Sequence, residues 1–400
     1  MRIKIISYIP IVMAVLFAFF GYALKISEPA QGLISMCLAI LCIILSKAKT
    51  IKVTKDDKLW IIYTILIFLS LLFSINISNS ISYIIMFCSL VIFKIIIDNL
   101  KLPMEKVKKI IICIGLVHVF ATIFYLLIPN VIQIIASRIL TNPSYIYNVN
   151  LFRHGMIAGI ASEHGANAIF ISIVLSFIIA KSITKPNFLN LVLTVMCIIA
   201  LLLTGKRGPL IANIIAFLMI FIKYNIHNKK VIKTFLIFCV FICILVGILS
   251  RIPATNIVFE RYIESVENNE LLTGREDFYN VQISSIKNHF FTGIGIRGVH
   301  ELIGNNDGHN IYLQVFAELG IFGIIILLCI LLTNYVKALK AKNNESILTS
   351  VYFQTFFIIY GISGNPMYLF TTLAIYFIIT SQLFVKGDEY HKKNRNIDIS

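Results

Sequence analysis

Residues 311–334 read IYLQVFAELGIFGIIILLCILLTN, and this stretch decides the fold. At 1.5 Å of rise per residue it is long enough to cross a hydrocarbon core of about 30 Å as a helix. One formal charge, Glu318, interrupts it. A chain surrounded by lipid has to satisfy its own backbone hydrogen bonds, and a helix does so. Comparable apolar windows lie near 5–24, 31–46, 59–75, 80–97, 109–128, 156–180, 188–204, 209–223, 231–250, 346–363 and 367–384, so about twelve membrane helices are expected, those over 31–46 and 209–223 being short. No soluble domain is inserted. The expected architecture is all-α and polytopic, with an N-terminal group of helices over 1–150 and a C-terminal group over 151–400.

Composition agrees. Of 400 residues, 58% are hydrophobic and 14% charged, and mean hydropathy is +0.89. Soluble globular chains carry about 25% charged residues, so a soluble surface, a disordered tail and a coiled coil are all excluded. The net charge of +16 would suggest nucleic acid in a soluble protein. Here it is explained by lysines in short loops, and no nucleic-acid partner is expected. The eight cysteines fall inside apolar windows without paired spacing, which reads as small hydrophobes and not as a disulfide framework or metal site. The stretch from Arg2 into 5–24 has no cleavage signature and reads as a first membrane helix.

Charge sets the sides. With the N-terminus cytoplasmic, 25 of 35 basic residues fall on cytoplasmic segments, and the alternation holds through every loop. Both termini are then expected in the cytoplasm of a bacterial inner-membrane protein. Lysine carries the pattern, with 23 of 26 inside. Arginine runs against it: Arg138, Arg153, Arg207, Arg251, Arg261, Arg275 and Arg297, seven of nine, lie on the outer side. Arginine is the residue for a forked grip on phosphate or carboxylate, so this bias points to an outward-facing anion site, against the plain alternative of ion pairs with Glu260, Glu264, Glu276 and Asp277.

The one long outer segment, 251–310, exceeds what a passive connector needs. A helical pattern runs over Asn256–Val266. A second follows Thr273, an expected N-cap, through Phe278, Val281 and Ile286. These are expected to be interfacial amphipathic helices. Phe291–Gly298 reads as a tight turn. Asp307-Gly-His309-Asn310 then leads straight into the helix from Ile311.

Several residues on this side are suited to chemistry. His309 can accept a proton near neutral pH, and Asn310 can orient it, bind a sugar hydroxyl or simply cap the helix. Glu318 is costly in an apolar helix unless paired, so it is expected to anchor an arginine or a water-filled crevice. Gly320 and Gly323 allow close packing below it. Arg153-His154-Gly155 and Glu163-His164-Gly165 suggest a polar cavity wall. Lys206 and Arg207, between Gly205 and Gly208, form a cationic turn at a helix start suited to phosphate. His300, Glu301, Asp307 and His309 crowd in sequence without the spacing of a metal motif, and neither metal nor cofactor is expected. P-loop, dinucleotide, nucleophile-elbow and HExxH patterns do not occur.

In order and context these motifs resemble the O-antigen ligase and polymerase family of bacterial membranes. Arg153–Gly155 with Ser162-Glu163-His164 resembles the family's arginine-led middle span. Thr204-Gly-Lys-Arg207-Gly resembles its TGSRG turn, with Lys206 in place of serine. Gly274-Arg275 with Gly293-Ile-Gly295 resembles its catalytic loop, and His309-Asn310 followed by Glu318-Leu-Gly320 and Gly323 its HN…E.G..G helix. The motifs cover about 150–325.

The resemblance implies a membrane glycosyltransferase acting outside the cytoplasm on undecaprenyl-pyrophosphate-linked saccharides, with a glycan acceptor, membrane lipid and polysaccharide-assembly proteins as partners. Arg207, Arg275 and His309 are expected to be catalytic. Arg153, Arg297, Glu163, His164, Lys206, Asn310 and Glu318 are expected at the substrate. Heavy use of Ile, Lys and Asn suggests an AT-rich coding sequence and a Gram-positive host, which has no outer-membrane lipid A core to accept a finished chain, and so favours polymerisation of capsular, exopolysaccharide or O-antigen repeat units over ligation. A lipid-linked oligosaccharide transporter is the rival class, and would carry polar residues and broken helices in both halves.

Overall fold

The computed structural model describes residues 8–45, 51–100, 104–225, 247, 275–304 and 306–381. Among them all regular structure is helical. In chain order the helices are α1 (Ile9–Leu24), α2 (Glu28–Leu45), α3 (Lys55–Leu69), α4 (Ile77–Asn99), α5 (Met104–Leu127), α6 (Pro129–Ile139), α7 (Asn142–Arg153) and α8 (His164–Thr184). They continue as α9 (Phe188–Leu203), α10 (Arg207–Asn225), α11 (Glu276–Asn288), α12 (Gly298–Leu302), α13 (Ile311–Lys340), α14 (Glu345–Tyr360) and α15 (Phe370–Thr380). A short 3₁₀ turn, Ser70–Phe73, ends α3.

Six helices, α2, α4, α5, α8, α10 and α13, are long and apolar enough to cross a membrane, and α1, α9 and α15 are shorter apolar helices. The protein is a multi-pass all-α membrane protein. Every expected window outside 231–250 overlaps a helix, including the short ones over 31–46 and 209–223. The window 231–250 apart from Gly247, Arg251, the helix expected over Asn256–Val266 with its Arg261, and Thr273 lie outside the described residues.

Two differences have local causes. The window 156–180 becomes helical only at His164, because Gly155 (φ 72°) and Gly159 (φ 59°) turn the chain before it. Between α5 and α8 stand two helices that no apolar window marks. Each has a proline in its first turn, where a missing N–H costs nothing. α6 buries only Ile132 and Ala136 and exposes Val131, Ile134 and Ile135.

The described residues fall into two compact units, one within Met1–Ile111 and Arg275–Ser400, the other within Ile112–Gly274. The first is built round Trp60, which is fully buried edge-on to Phe377 at 4.8 Å and beside Tyr63, Phe87 and Tyr376. α2 lies close on α4 because Gly32 faces the Met86 backbone; a methyl group there would sit 3.2 Å from the Met86 carbonyl oxygen.

One end of this unit is held by acids and lysines. Thr54 and Asp57 form a capping box at α3. Buried Lys94 bridges Asp57 and Asp98, and Lys337 pairs with Asp56 at 2.6 Å. Arg297 lies away from this end, beside Tyr368, the partner of Glu318 in the first half of α13.

In the second unit α8 is the most enclosed helix. Buried asparagines tie its loops down. Asn148 donates to the Gly159 and Ala161 carbonyls at 3.1 Å, Asn167 to Thr122 at 2.8 Å, and Asn213 to Ser172 at 2.7 Å.

Candidate active site

In the first unit the site is built on a break in α13. Gly320, at φ 66° and ψ −167°, leaves the helical path and frees backbone groups on either side. The 290–298 turn satisfies them. Ile294 N–H donates to the Ala317 carbonyl at 2.9 Å, Gly295 N–H to that of Glu318 at 3.0 Å, and Ile321 N–H to that of Phe290 at 2.9 Å. Irregular backbone at such a position is tolerated only when covered by protein in this way. The approach needs glycine on both sides: a side chain on Gly293 would strike the Glu318 backbone, and one on Gly320 the Phe291 backbone.

The same turn is held to the start of α4. Ser80 donates to the Ile296 carbonyl at 2.6 Å, Ile296 N–H donates to Ser70 at 3.1 Å, and Asn79 donates to Glu301. α11 closes over it from the other side. Its Phe278, Val281 and Ile286 pack on Ile294, Val299, Ile303 and Ala317. The apolar face of this loop helix is therefore covered by protein.

Glu318 is fully buried beside the break. An isolated buried carboxylate costs several kcal/mol, so its partners matter. Tyr368 O–H donates to Oε2 at 2.6 Å, Gln314 Nε2 to Oε1 at 3.0 Å, and Val299 N–H to Oε1 at 3.3 Å. The expected direct arginine anchor is replaced by a tyrosine. Arg297 stands one step away, its guanidinium carbon 5.8 Å from the centre of the Tyr368 ring, and it pairs with Asp307 at 3.1 Å. Arg297 adopts φ 65°.

Glu28, at the start of α2, lies in electrostatic reach of Arg297 and Asp307 and takes the Phe370 backbone N–H. The surroundings of Arg297 are thus more acidic than the loop sequence implies, because Glu28 and Glu318 come from helices distant in the chain. Burial and Arg297 hold the His300 imidazolium pKa below its ordinary 6.5.

The remaining loop candidates gather nearby. Arg275 precedes α11 and donates through Nη1 to the Ser363 carbonyl at 3.2 Å. The 361–368 turn that it holds also takes Ile311 N–H on the Gly361 carbonyl at 2.9 Å and supplies Asn365 to Gln314 at 2.7 Å. His309 is half-buried, stacked on Phe278 with ring centres 6.1 Å apart, and adopts φ 54°. A non-glycine residue in this region costs roughly 1–3 kcal/mol and persists only where neighbours over-determine it. Asn310 caps α13: its Oδ1 accepts Tyr312 N–H at 3.0 Å and Leu313 N–H at 3.1 Å. Among the described residues no three of His, Cys, Asp and Glu gather as metal ligands.

The second unit brings the other candidates together. Glu163 stands just before α8 and His164 is its first residue, 6.3 Å from Tyr147 by ring centres. Glu163 and Lys206 converge on Gly165, where a methyl group would meet Lys206 Cε at 3.3 Å, Lys206 Nζ at 3.7 Å and Glu163 Oε1 at 3.4 Å. Gly205 (φ 66°) makes the turn before α10, whose first residue is Arg207. Ile157 N–H donates to the Leu203 carbonyl at 2.9 Å, which holds the 154–163 segment beside this turn. Arg153 and His154 are exposed at the end of α7.

Residues 192–328, from within α9 to the middle of α13, match the family model described as O-antigen ligase. No curated protein matches the chain. The matched stretch contains the cationic turn, α11, the glycine turn, His309 and the break in α13, and members of the matched family are glycosyltransferase-like enzymes.

Several residues round the broken helix were not singled out from sequence: Gln282, Gln314, Tyr368, Asn365 and Glu28. Gln314 had a signal, being polar four residues before Glu318 in an apolar window. Tyr368 had none, since it meets Glu318 across 50 residues of chain.

Proposed function

We propose that this protein polymerises undecaprenyl-pyrophosphate-linked oligosaccharide repeat units on the outer face of the bacterial cytoplasmic membrane, with both termini in the cytoplasm. The observation that carries the proposal is the broken α13 within the matched stretch: Arg297 lies beside Tyr368, the partner of its buried Glu318, His309 stands just before the helix, and Arg275 bonds the 361–368 turn that meets the helix start. An acceptor hydroxyl oxygen attacks the anomeric carbon of the donor sugar. The bond from that carbon to the diphosphate oxygen breaks, and its electron pair leaves on undecaprenyl diphosphate. His309 takes the hydroxyl proton. Arg275 stabilises the charge developing on the leaving group, which is the larger electrostatic task. Arg207, at the start of α10 beside Lys206, does the same work for phosphate in the second unit. Glu163, His164 and Arg153 serve the saccharide, and Asn310 orients the start of α13. Polymerase is preferred because residue usage suggests an AT-rich coding sequence and with it a Gram-positive host, which has no outer-membrane lipid A core to accept a finished chain.

A ligase reading is favoured by the description of the matched family. It shares the donor and the chemistry and differs in the acceptor. The lipid-linked glycans of a deletion strain discriminate: accumulation of single repeats with loss of long chains supports polymerisation. Long lipid-linked chains that fail to reach an acceptor would refute it in favour of ligation. For the base, His309→Gln should abolish transfer while donor binding and thermal stability persist, because an amide holds a hydroxyl but takes no proton at neutral pH. A Gln variant working at near wild-type rate would remove His309 from that role.

A further inference from the structure

His309 does not hold its left-handed conformation alone. Gly308, just before it, has both of its backbone polar groups held by buried glutamines from two different helices. Gln282 of α11 donates its Nε2 to the Gly308 carbonyl at 2.8 Å and to the Phe278 carbonyl at 3.0 Å. Gln314 of α13 accepts Gly308 N–H on Oε1 at 3.0 Å. Both glutamines are fully buried. Gly308 has no room for a side chain: a methyl group would sit 2.7 Å from Gln282 Nε2 and 2.9 Å from its Cδ.

Gln314 is itself locked. Its Oε1 also accepts from Asn365 Nδ2 at 2.7 Å, and its Nε2 donates to Glu318, which Tyr368 holds from the far side. An unbroken run of hydrogen bonds therefore leads from Tyr368 through Glu318 and Gln314 to the Gly308 peptide, and on through Gln282 to the backbone of Phe278. Phe278 is the ring on which His309 stacks.

We infer that Gln282 and Gln314 are positioning residues for His309, clamping the two peptides that flank Gly308 so that His309 keeps its left-handed backbone and its imidazole stays against Phe278. Glu318 acts through this clamp, orienting Gln314. An amide suits the task because one end must donate and the other accept: Gln314 uses its oxygen on Gly308 and its nitrogen on Glu318, a division that a carboxylate cannot reproduce. The inference rests on the reading of His309 as the group that faces the acceptor hydroxyl. Fixing that group within a fraction of an ångström is what makes a base effective.

The test uses the purified full-length protein with lipid-linked repeat units taken from the deletion strain. Gln282→Met keeps the length and packing of the side chain and removes the donor. Its kcat per folded molecule should fall by about 10-fold or more, while donor KM and the unfolding midpoint stay near wild type, as displacement of a positioned group predicts. Gln282→Glu, which sets carboxylate oxygen against the Gly308 carbonyl, should fall further. A merely structural glutamine would lower the folded fraction and the midpoint and leave kcat per folded molecule unchanged, and that result would overturn the clamp. His309→Ala is run alongside. If it is inactive while Gln282→Met is fully active, the clamp alone fails. If His309→Ala is itself active, the reading of His309 fails and takes this inference with it.

Discussion

Replacing Gly320 with alanine tests whether the break in α13 is built as described. Two costs add. The backbone at φ 66° and ψ −167° belongs almost only to glycine, and alanine there costs roughly 1–3 kcal/mol. The new methyl group would lie closer than 3.0 Å to the Phe291 backbone, so the 290–295 turn has to retreat by about 1 Å to reach an ordinary contact. The three hydrogen bonds between turn and helix measure 2.9, 2.9 and 3.0 Å, and such a shift takes them to about 4 Å, beyond hydrogen-bond range. Each lost bond costs about 1 kcal/mol or more where its groups stay dry. The sum is about 4 kcal/mol at the least, a large part of the ~5–15 kcal/mol that holds an ordinary domain together. Gly304→Ala is the control for a positive φ without a clash, because Gly304 has φ 68° and nothing lies within 4 Å of the added carbon. Unfolding of the detergent-purified variants, followed by tyrosine and tryptophan fluorescence, should show Gly320→Ala severely destabilised and Gly304→Ala lowered by only ~1 kcal/mol. Equal stabilities for Gly320→Ala and the wild type would refute the docked turn.

Other outcomes follow from the same geometry. Arg275→Lys and Arg207→Lys should lose most polymer-forming activity despite retained charge, since a point charge does not replace a forked donor at diphosphate; wild-type chain lengths at equal protein level would remove both from the site. Single cysteines at Asn228 and Asn268 in a cysteine-free background, labelled in intact cells with an impermeant reagent, should react at 268 and not at 228, and the reverse pattern would invert the proposed topology. His300 favours its neutral form in the folded protein, so its contribution to stability is present above pH 6.5 and is lost as pH falls through the depressed folded-state pKa. His300→Asn should flatten the fall in unfolding midpoint between pH 7 and about 5, and an unchanged profile would rule this out.

Much of the molecule was legible in the chain because lipid imposes a one-dimensional rule. A segment either carries enough consecutive apolar residues to lie in hydrocarbon or it does not, and that can be counted along the sequence. The helices were readable in this way, and the match over 192–328 covers the short motifs from Thr204 onward. Helices α6 and α7 were not, since they need no apolar window: proline starts them and one narrow face suffices to pack them.

What the tertiary structure alone decided is which polar groups meet. Glu318 announced itself as a carboxylate that needed partners, but its partners come from positions 299, 314 and 368, and only the last gives it a hydroxyl. Asn310, readable as a sugar ligand or a cap, uses its Oδ1 to cap the first turn of α13. Gly320, readable as a packing glycine, is the residue at which the helix breaks to receive a second stretch of backbone. The apolar pattern is a property of neighbours in the chain and can be read locally. A hydrogen-bond partner is a property of neighbours in space, set only once the helices have packed, and no spacing along the sequence records it.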